Sequence, residues 1–126
     1  MAASAMISGG ARISAGVSTF AVSPFSGSFS LSSFFVDQFI LAAGVSEFVV
    51  SVQTVSNPSF VVLKATEVVR VNFGNLPSST SHASAGFQFA DIFAQVGCGI
   101  SGPLALHFAN SGSNSATITV MLGQVG

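Results

Sequence analysis

The two histidines are the residues whose chemistry would matter first in an enzyme, because a neutral imidazole can act as a general base. His82 lies in a serine-rich segment, SSTSHASAG, and His107 lies in an apolar one, LALHFAN. Serine is so abundant that a serine near a histidine is expected by chance, and none occupies the Gly-x-Ser-x-Gly pattern of a nucleophile elbow. We therefore predict that the protein is not an enzyme, and that His107 lies on the outer face of a strand.

The remaining reactive side chains are scattered along the chain. The carboxylates are Asp37, Glu47, Glu67 and Asp91. Glu67 follows Lys64 by three residues, which favours a surface charge pair between them. His82, His107 and Cys98 could in principle surround zinc, but no two of them have the spacing of short-range ligands. We predict no metal and no cofactor, and we interpret Cys98 as a small buried side chain.

Composition is the most unusual property of this sequence of 126 residues. Hydrophobic residues make up 49% and charged residues only 6%, and the aromatic residues are 13 Phe with no Trp or Tyr. A compact monomer of this mass exposes roughly 6,200 Å². A standard interaction patch of roughly 800 Å² would then carry about one charge, so covering it costs little desolvation. This predicts permanent assembly with other chains, although a surface of hydroxyl and amide groups would also keep the chain soluble.

The same composition argues against several classes of partner. Three basic residues and a net charge of −1 cannot supply the phosphate contacts of a nucleic-acid site. Anionic lipid is disfavoured for the same reason. No apolar stretch reaches 18 residues, so we predict no membrane span. We predict synthesis in the cytoplasm without export, because the N-terminus lacks the pattern of a secretory signal. A glycan-binding role is weakly supported, since Phe can stack on sugars but the usual Trp and Tyr are missing.

The hydrophobic pattern is almost entirely that of β-strands, which are rich in Val, Ile, Phe and Thr and bounded by Gly, Pro, Asn and Ser. The predicted strands are Val17–Val22, Phe29–Phe35, Gln38–Ala42, Phe48–Thr54, Phe60–Ala65, Val68–Phe73, Phe87–Phe93, Leu104–Ala109 and Ala116–Leu122. Polar residues 64–67 and 110–114 suggest the tips of two hairpins. We predict an all-β, jelly-roll-like β-sandwich of about eight strands over residues 17–126.

Residues 1–16 are small, Gly- and Ser-rich and weakly patterned, which predicts a flexible N-terminal arm that orders against a neighbour. The arm and the Phe-rich segment that follows it supply the predicted partner contacts. These are Met6, Ile7, Arg12, Ile13, Phe25, Phe34 and Phe35.

Residues 39–123 carry a resemblance to a known class of proteins. The segments LAAG, VSNPSFVVLKATEVVRVNF and FANSGSNSATITVMLG resemble small structural proteins of tailed bacteriophages, notably capsid decoration or cement proteins. The resemblance implies a jelly-roll or similar sandwich, a location in the virion after synthesis in the host cytoplasm, and no catalytic site. Its implied partners are the major capsid protein, or another virion protein, and further copies of this chain. The alternative is a phage tail or fibre protein, or a receptor-binding module that contacts glycans.

Overall fold

The computed structural model describes residues 3–15, 18–75, 82–96 and 104–125, and within them the chain is all-β, as predicted. The strands are β1 (Ala3–Ala15), β2 (Ser18–Leu41), β3 (Phe48–Val52), β4 (Phe60–Asn75), β5 (Phe87–Val96), β6 (Leu104–Ala109) and β7 (Ala116–Val125). A short 3-10 turn, Ala83–Ala85, precedes β5. In the described part of the chain, no helix is long and apolar enough to cross a membrane.

All seven strands belong to one antiparallel sheet, in the order β1-β2-β7-β4-β6-β3, with β5 pairing to β4. Strand β4 is the centre of this arrangement because its two halves have different neighbours. Residues 60–65 pair with β7, and residues 70–75 pair with β6. Residues 66–68 of β4 lie opposite the single residue Ala90 of β5, and Asp91 beside it has a φ of 68°. This bulge is where the pairing of β4 changes, as expected of an irregularity that bends a strand.

The bend allows the two ends of the sheet to face each other over one core. Phe39 of β2 stacks on Phe48 of β3 at 4.9 Å, and its ring lies edge-on to Phe108 of β6 at 5.5 Å between centroids. The hydroxyl of Thr54, just after β3, donates a hydrogen bond of 3.3 Å to the carbonyl of Phe34 in β2. The sheet is therefore nearly closed. An eight-stranded jelly-roll sandwich is not confirmed.

The core between these ends is assembled from alternate residues of five strands. Its fully buried side chains include Leu41, Val52, Val61, Leu63, Val69, Val71, Leu104, Leu106, Phe108, Ile118, Val120 and Leu122. The odd residues of β4 point inward on both sides of the bulge, so the bulge preserves the alternation while it changes the direction of the strand. One continuous core thus holds the two halves of the sheet together.

The sequence-based predictions of two hairpins are wrong. Residues 64–67 are not a tip, since β4 runs through them without a break, and Lys64 and Glu67 do not form the predicted ion pair. Strands β6 and β7 flank the polar turn 110–115, but in the described structure they pair with different halves of β4 and not with each other. Asn110 fixes this turn: its buried side-chain amide donates to the carbonyls of Leu41 and Asn114. The turn therefore crosses between the two halves of the sheet.

Strands β1 and β2 form a two-stranded ribbon that continues beyond the rest of the sheet. Residues 3–15 pair with residues 18–31, and β7 pairs only with the later part of β2, residues 31–41. At about 3.3 Å per residue, the ribbon is roughly 40 Å long. Residues 3–15 thus form a strand whose backbone groups on one side pair with β2 of the same chain. That these residues act as an arm against a neighbour stays a prediction.

Candidate protein–protein interface

The outer surface of β2, β7, β4 and β5 is the most apolar exposed part of the described structure. Val36, Met121, Val62 and Ala94 are neighbours in one row across these four strands. Val36 is 57% exposed and Met121 is 40% exposed. Directly paired residues of antiparallel strands point to the same side of a sheet, so this row is a continuous apolar strip.

The neighbouring rows extend the strip into a larger surface, which we call the outer face. Phe34 and Ile40 continue it along β2, and Ile92 continues it on β5; they are 53%, 70% and 62% exposed. The polar members of this face are uncharged, with the exception of Lys64. They include Gln38 and Thr119, whose side chains share a hydrogen bond of 3.2 Å. A single charge among so many exposed apolar side chains is typical of a surface that another protein covers.

The residues predicted as partner contacts do not all lie on this face. Phe34 belongs to it, whereas Phe35 points to the other side of β2 and packs against the core. Met6, in the ribbon, is 76% exposed. Ile7 and Ile13 lie in β1 together with Arg12, and Phe25 lies in β2; for these four positions the structure describes the backbone alone. Alternation along β2 could have separated Phe34 from Phe35, but the weak pattern of residues 18–33 obscured it.

A separate polar cluster lies on the other half of the sheet, around His107. His107 lies on the face of β6 opposite the core residues Leu106 and Phe108, as predicted, but its side chain is only 3% exposed. Its Nδ1 is paired with the Glu47 carboxylate, and the other oxygen of that carboxylate accepts a hydrogen bond of 2.9 Å from the backbone N–H of Ala83. Glu47 therefore joins strand β6 to the segment 82–86. No sequence pattern signals this contact, since the two residues are 60 positions apart.

Segment 82–86 is attached to the sheet at both ends, which explains why His107 beneath it is buried. The side-chain amide of Asn72 donates a hydrogen bond of 2.9 Å to the carbonyl of His82. Arg70 Nη1 donates a hydrogen bond of 2.7 Å to the carbonyl of Gly86. Gly86 lies directly on β4, where a Cβ atom would overlap the carbonyl group of Val71. The sequence did not predict that segment 82–86 packs on the sheet, because the composition of this segment is typical of a polar loop.

We expect Gly86→Ala to lower the free energy of unfolding by about 1–3 kcal/mol, because the added methyl group must displace backbone and not a flexible side chain. Amide hydrogen exchange of residues 82–86 should accelerate as the segment leaves the sheet. Ser84→Ala is the matched control, since Ser84 is exposed and its backbone path is unchanged. Equal stability of the two variants would contradict the close approach of Gly86 to β4.

The environment of Glu47 makes its contribution to stability depend on pH. Burial alone would raise the pKa of Glu47, but the hydrogen bond from Ala83 and the contact with His107 outweigh it, and the pKa lies below its ordinary value of 4.5. A carboxylate whose pKa is lowered by folding stabilises the fold above its unfolded pKa, and this contribution is lost as the pH falls through the folded pKa.

We therefore expect Glu47→Gln to be less stable than the wild type at about pH 7, and the difference to shrink as the pH falls below 4.5 and the Glu47 carboxylate of the folded protein is protonated. Chemical denaturation curves of both proteins across this range measure the difference directly. A gap in unfolding free energy that stays constant below pH 4.5 would show that the Glu47 charge does not stabilise the cluster.

The cluster does not assemble a catalytic triad within the described residues. Nε2 of His107 is buried and has no hydrogen-bond partner, so no hydroxyl nucleophile is engaged with it. Across the same residues, no three side chains of His, Cys, Asp or Glu come together as ligands for a metal ion. Cys98 lies outside the described residues. The cluster serves to hold segment 82–86 on the sheet.

Comparison with known proteins adds no relative. No protein family model matches the chain, and neither a curated protein nor a solved structure is detectably similar to it. The surface features described above are therefore the basis for assigning a role.

Proposed function

We propose that this protein is a structural subunit of a bacteriophage particle, of the capsid decoration or cement type, which acts by packing against the major capsid protein and further copies of itself. The observation that carries the proposal is the outer face, where exposed Phe34, Val36, Ile40, Ile92 and Met121 share a four-stranded surface with one charge, that of Lys64. Covering such a surface removes apolar area from water at little electrostatic cost.

The shape of the chain supports the same role. Its accessible surface is 7403 Å², about a fifth more than the roughly 6,200 Å² of a compact monomer of this mass. The β1–β2 ribbon provides much backbone with a free edge, and exposed edges are suited to pairing with a neighbouring chain. In a particle with many copies, modest contacts of this kind add up to tight attachment. The jelly-roll arrangement and the location in the virion belong to this proposal.

Two measurements test the proposal at different levels. Sedimentation velocity over a concentration series should show a mass that grows with concentration, alone or with the capsid shell. A monomer at every concentration, with no binding to shells, would contradict a packing role. Mass spectrometry of purified phage particles should then find the protein at a stoichiometry comparable with that of the capsid subunits. Self-assembly without incorporation into particles would overturn the virion assignment and leave the packing role standing.

A further inference from the structure

The surface on the far side of the β4 bulge from the outer face contains a groove of about 340 Å³. Its walls come from the turn after β2, the bulge of β4, the 3-10 turn, the start of β5 and the turn after β6. The side chains that matter for binding are Arg70, Val68, Ser46, Ser84, Gln88 and Ser111. This groove lies beside the Glu47–His107 cluster and shares segment 82–86 with it, and it is independent of the proposed interface.

The walls of the groove are fixed before any ligand arrives. The two turns that form one wall are tied together by hydrogen bonds between Gly44 N–H and Asn110 C=O and between Asn110 N–H and Val45 C=O, both 2.8 Å. The Asn110 side chain is buried, and both its amide nitrogen and its amide oxygen form hydrogen bonds within the wall. Segment 82–86, which forms the opposite wall, is held on the sheet by Glu47, Asn72 and Arg70. A preformed site of this kind loses little conformational freedom on binding.

Among the described residues that line the groove, Arg70 is the only charged one. Its guanidinium is partly buried and is oriented by the hydrogen bond from Nη1 to the Gly86 carbonyl. Among the described residues it has no carboxylate partner. Guanidinium has five N–H donors in a planar fork, so several remain available after this one contact. A fork of this kind matches the two oxygens of a carboxylate.

The other polar groups narrow the ligand class. Ser46, Ser84, Ser111 and Gln88 are exposed and neutral, and each can donate to or accept from a hydroxyl group. Val68 and Val45 supply small apolar patches against which a saturated ring could lie. The volume is near the lower end of the range for small-molecule sites, which suits one monosaccharide-sized ligand.

We propose that this groove binds a small sugar acid, with its carboxylate on Arg70 and its hydroxyl groups on the serine and glutamine side chains. Titration of the ¹⁵N-labelled full chain with glucuronate, glucose and acetate tests each part. Glucuronate should give saturable shifts of amides in segments 44–46, 68–70, 84–88 and 109–111. Glucose, which lacks the carboxylate, should bind at least about tenfold more weakly than glucuronate, because a charge-assisted hydrogen bond is lost. Acetate, which lacks the hydroxyl groups, should be weakened by at least a similar factor, because several hydrogen bonds are lost.

Val68 offers a variant that leaves the Arg70–Gly86 bond in place, because it is 53% exposed and lines the groove without a polar contact. Val68→Glu places a competing carboxylate beside Arg70 and should weaken glucuronate binding by about tenfold or more. Val68→Gln, the neutral control of the same size, loses the same apolar contact without adding a charge, so it should bind at least about tenfold more tightly than Val68→Glu. The proposal would be overturned if glucuronate gave no saturable shift, or if glucose or acetate bound as tightly as glucuronate. It would also be overturned if the Val68→Glu and Val68→Gln variants bound glucuronate with equal affinity.

Discussion

Phe108→Ala is expected to lower the free energy of unfolding by about 3–5 kcal/mol, the usual cost of removing a fully buried phenylalanine. Phe108 is 0% exposed and contacts Phe39 across the core, so its ring joins the two ends of the bent sheet. Its removal leaves a cavity where β2 and β6 meet. Urea unfolding followed by far-ultraviolet circular dichroism measures the effect, since the chain has no Trp for fluorescence.

Phe34→Ala is the matched control, because it removes the same side chain from a position that is 53% exposed on the outer face. Its effect on stability should stay below about 1 kcal/mol, as for most exposed positions. A loss of equal size at both positions would contradict the nearly closed sheet, since it would mean that Phe108 is no more buried than Phe34.

Val36→Glu is expected to weaken assembly by about a hundredfold while leaving the fold intact, because a buried and unpaired charge in an interface costs several kcal/mol. Val36 lies in the middle of the apolar row with Met121 and Val62, and 57% of it is exposed in the isolated chain. The free chain can therefore accept a charge here, whereas a packed neighbour cannot. Sedimentation velocity gives the shift in the association midpoint.

Val68→Glu controls for the added charge, since Val68 is similarly exposed at 53% but lies at the groove and not on the outer face. It should assemble within about threefold of the wild type, because a charge that stays in water has little effect on association. Equal disruption by both variants would show that the added charge, and not the covered face, is responsible.

The sequence was sufficient to predict features that depend on local pattern. Alternation of large apolar residues identified β6 at Leu104–Ala109 with its observed bounds, and it located most of β3, β5 and β7. Gly44 lies just beyond the predicted strand Gln38–Ala42 and has a φ of 81°, a conformation that glycine adopts at little cost. The all-β class follows from the sum of such signals.

The predictions that failed concern features that are set by contacts between distant parts of the chain. The polar turn after β6 has the sequence of a hairpin, yet β6 and β7 pair with opposite halves of β4. Residues 64–67 look like a hairpin tip because two of them are charged, but they lie within one strand, and residues 66–68 form a bulge in it. His107 looks exposed from its neighbours and is buried because Glu47 and segment 82–86 cover it. The partner of each strand and the segment that covers a side chain are determined by the whole fold, and a local sequence pattern carries no information about either.

The central claim is that neighbouring chains cover the outer face, and oxidation of methionine measures this most directly. Met121 lies on that face and is 40% exposed, so it should be oxidised readily in the isolated chain. Brief exposure to peroxide, followed by peptide mass spectrometry, compares the isolated chain with the assembled particle. We expect Met121 to be protected in the assembly by a large factor. Oxidation of Met121 at the same rate in both states would contradict the claim, because it would leave the outer face in contact with water.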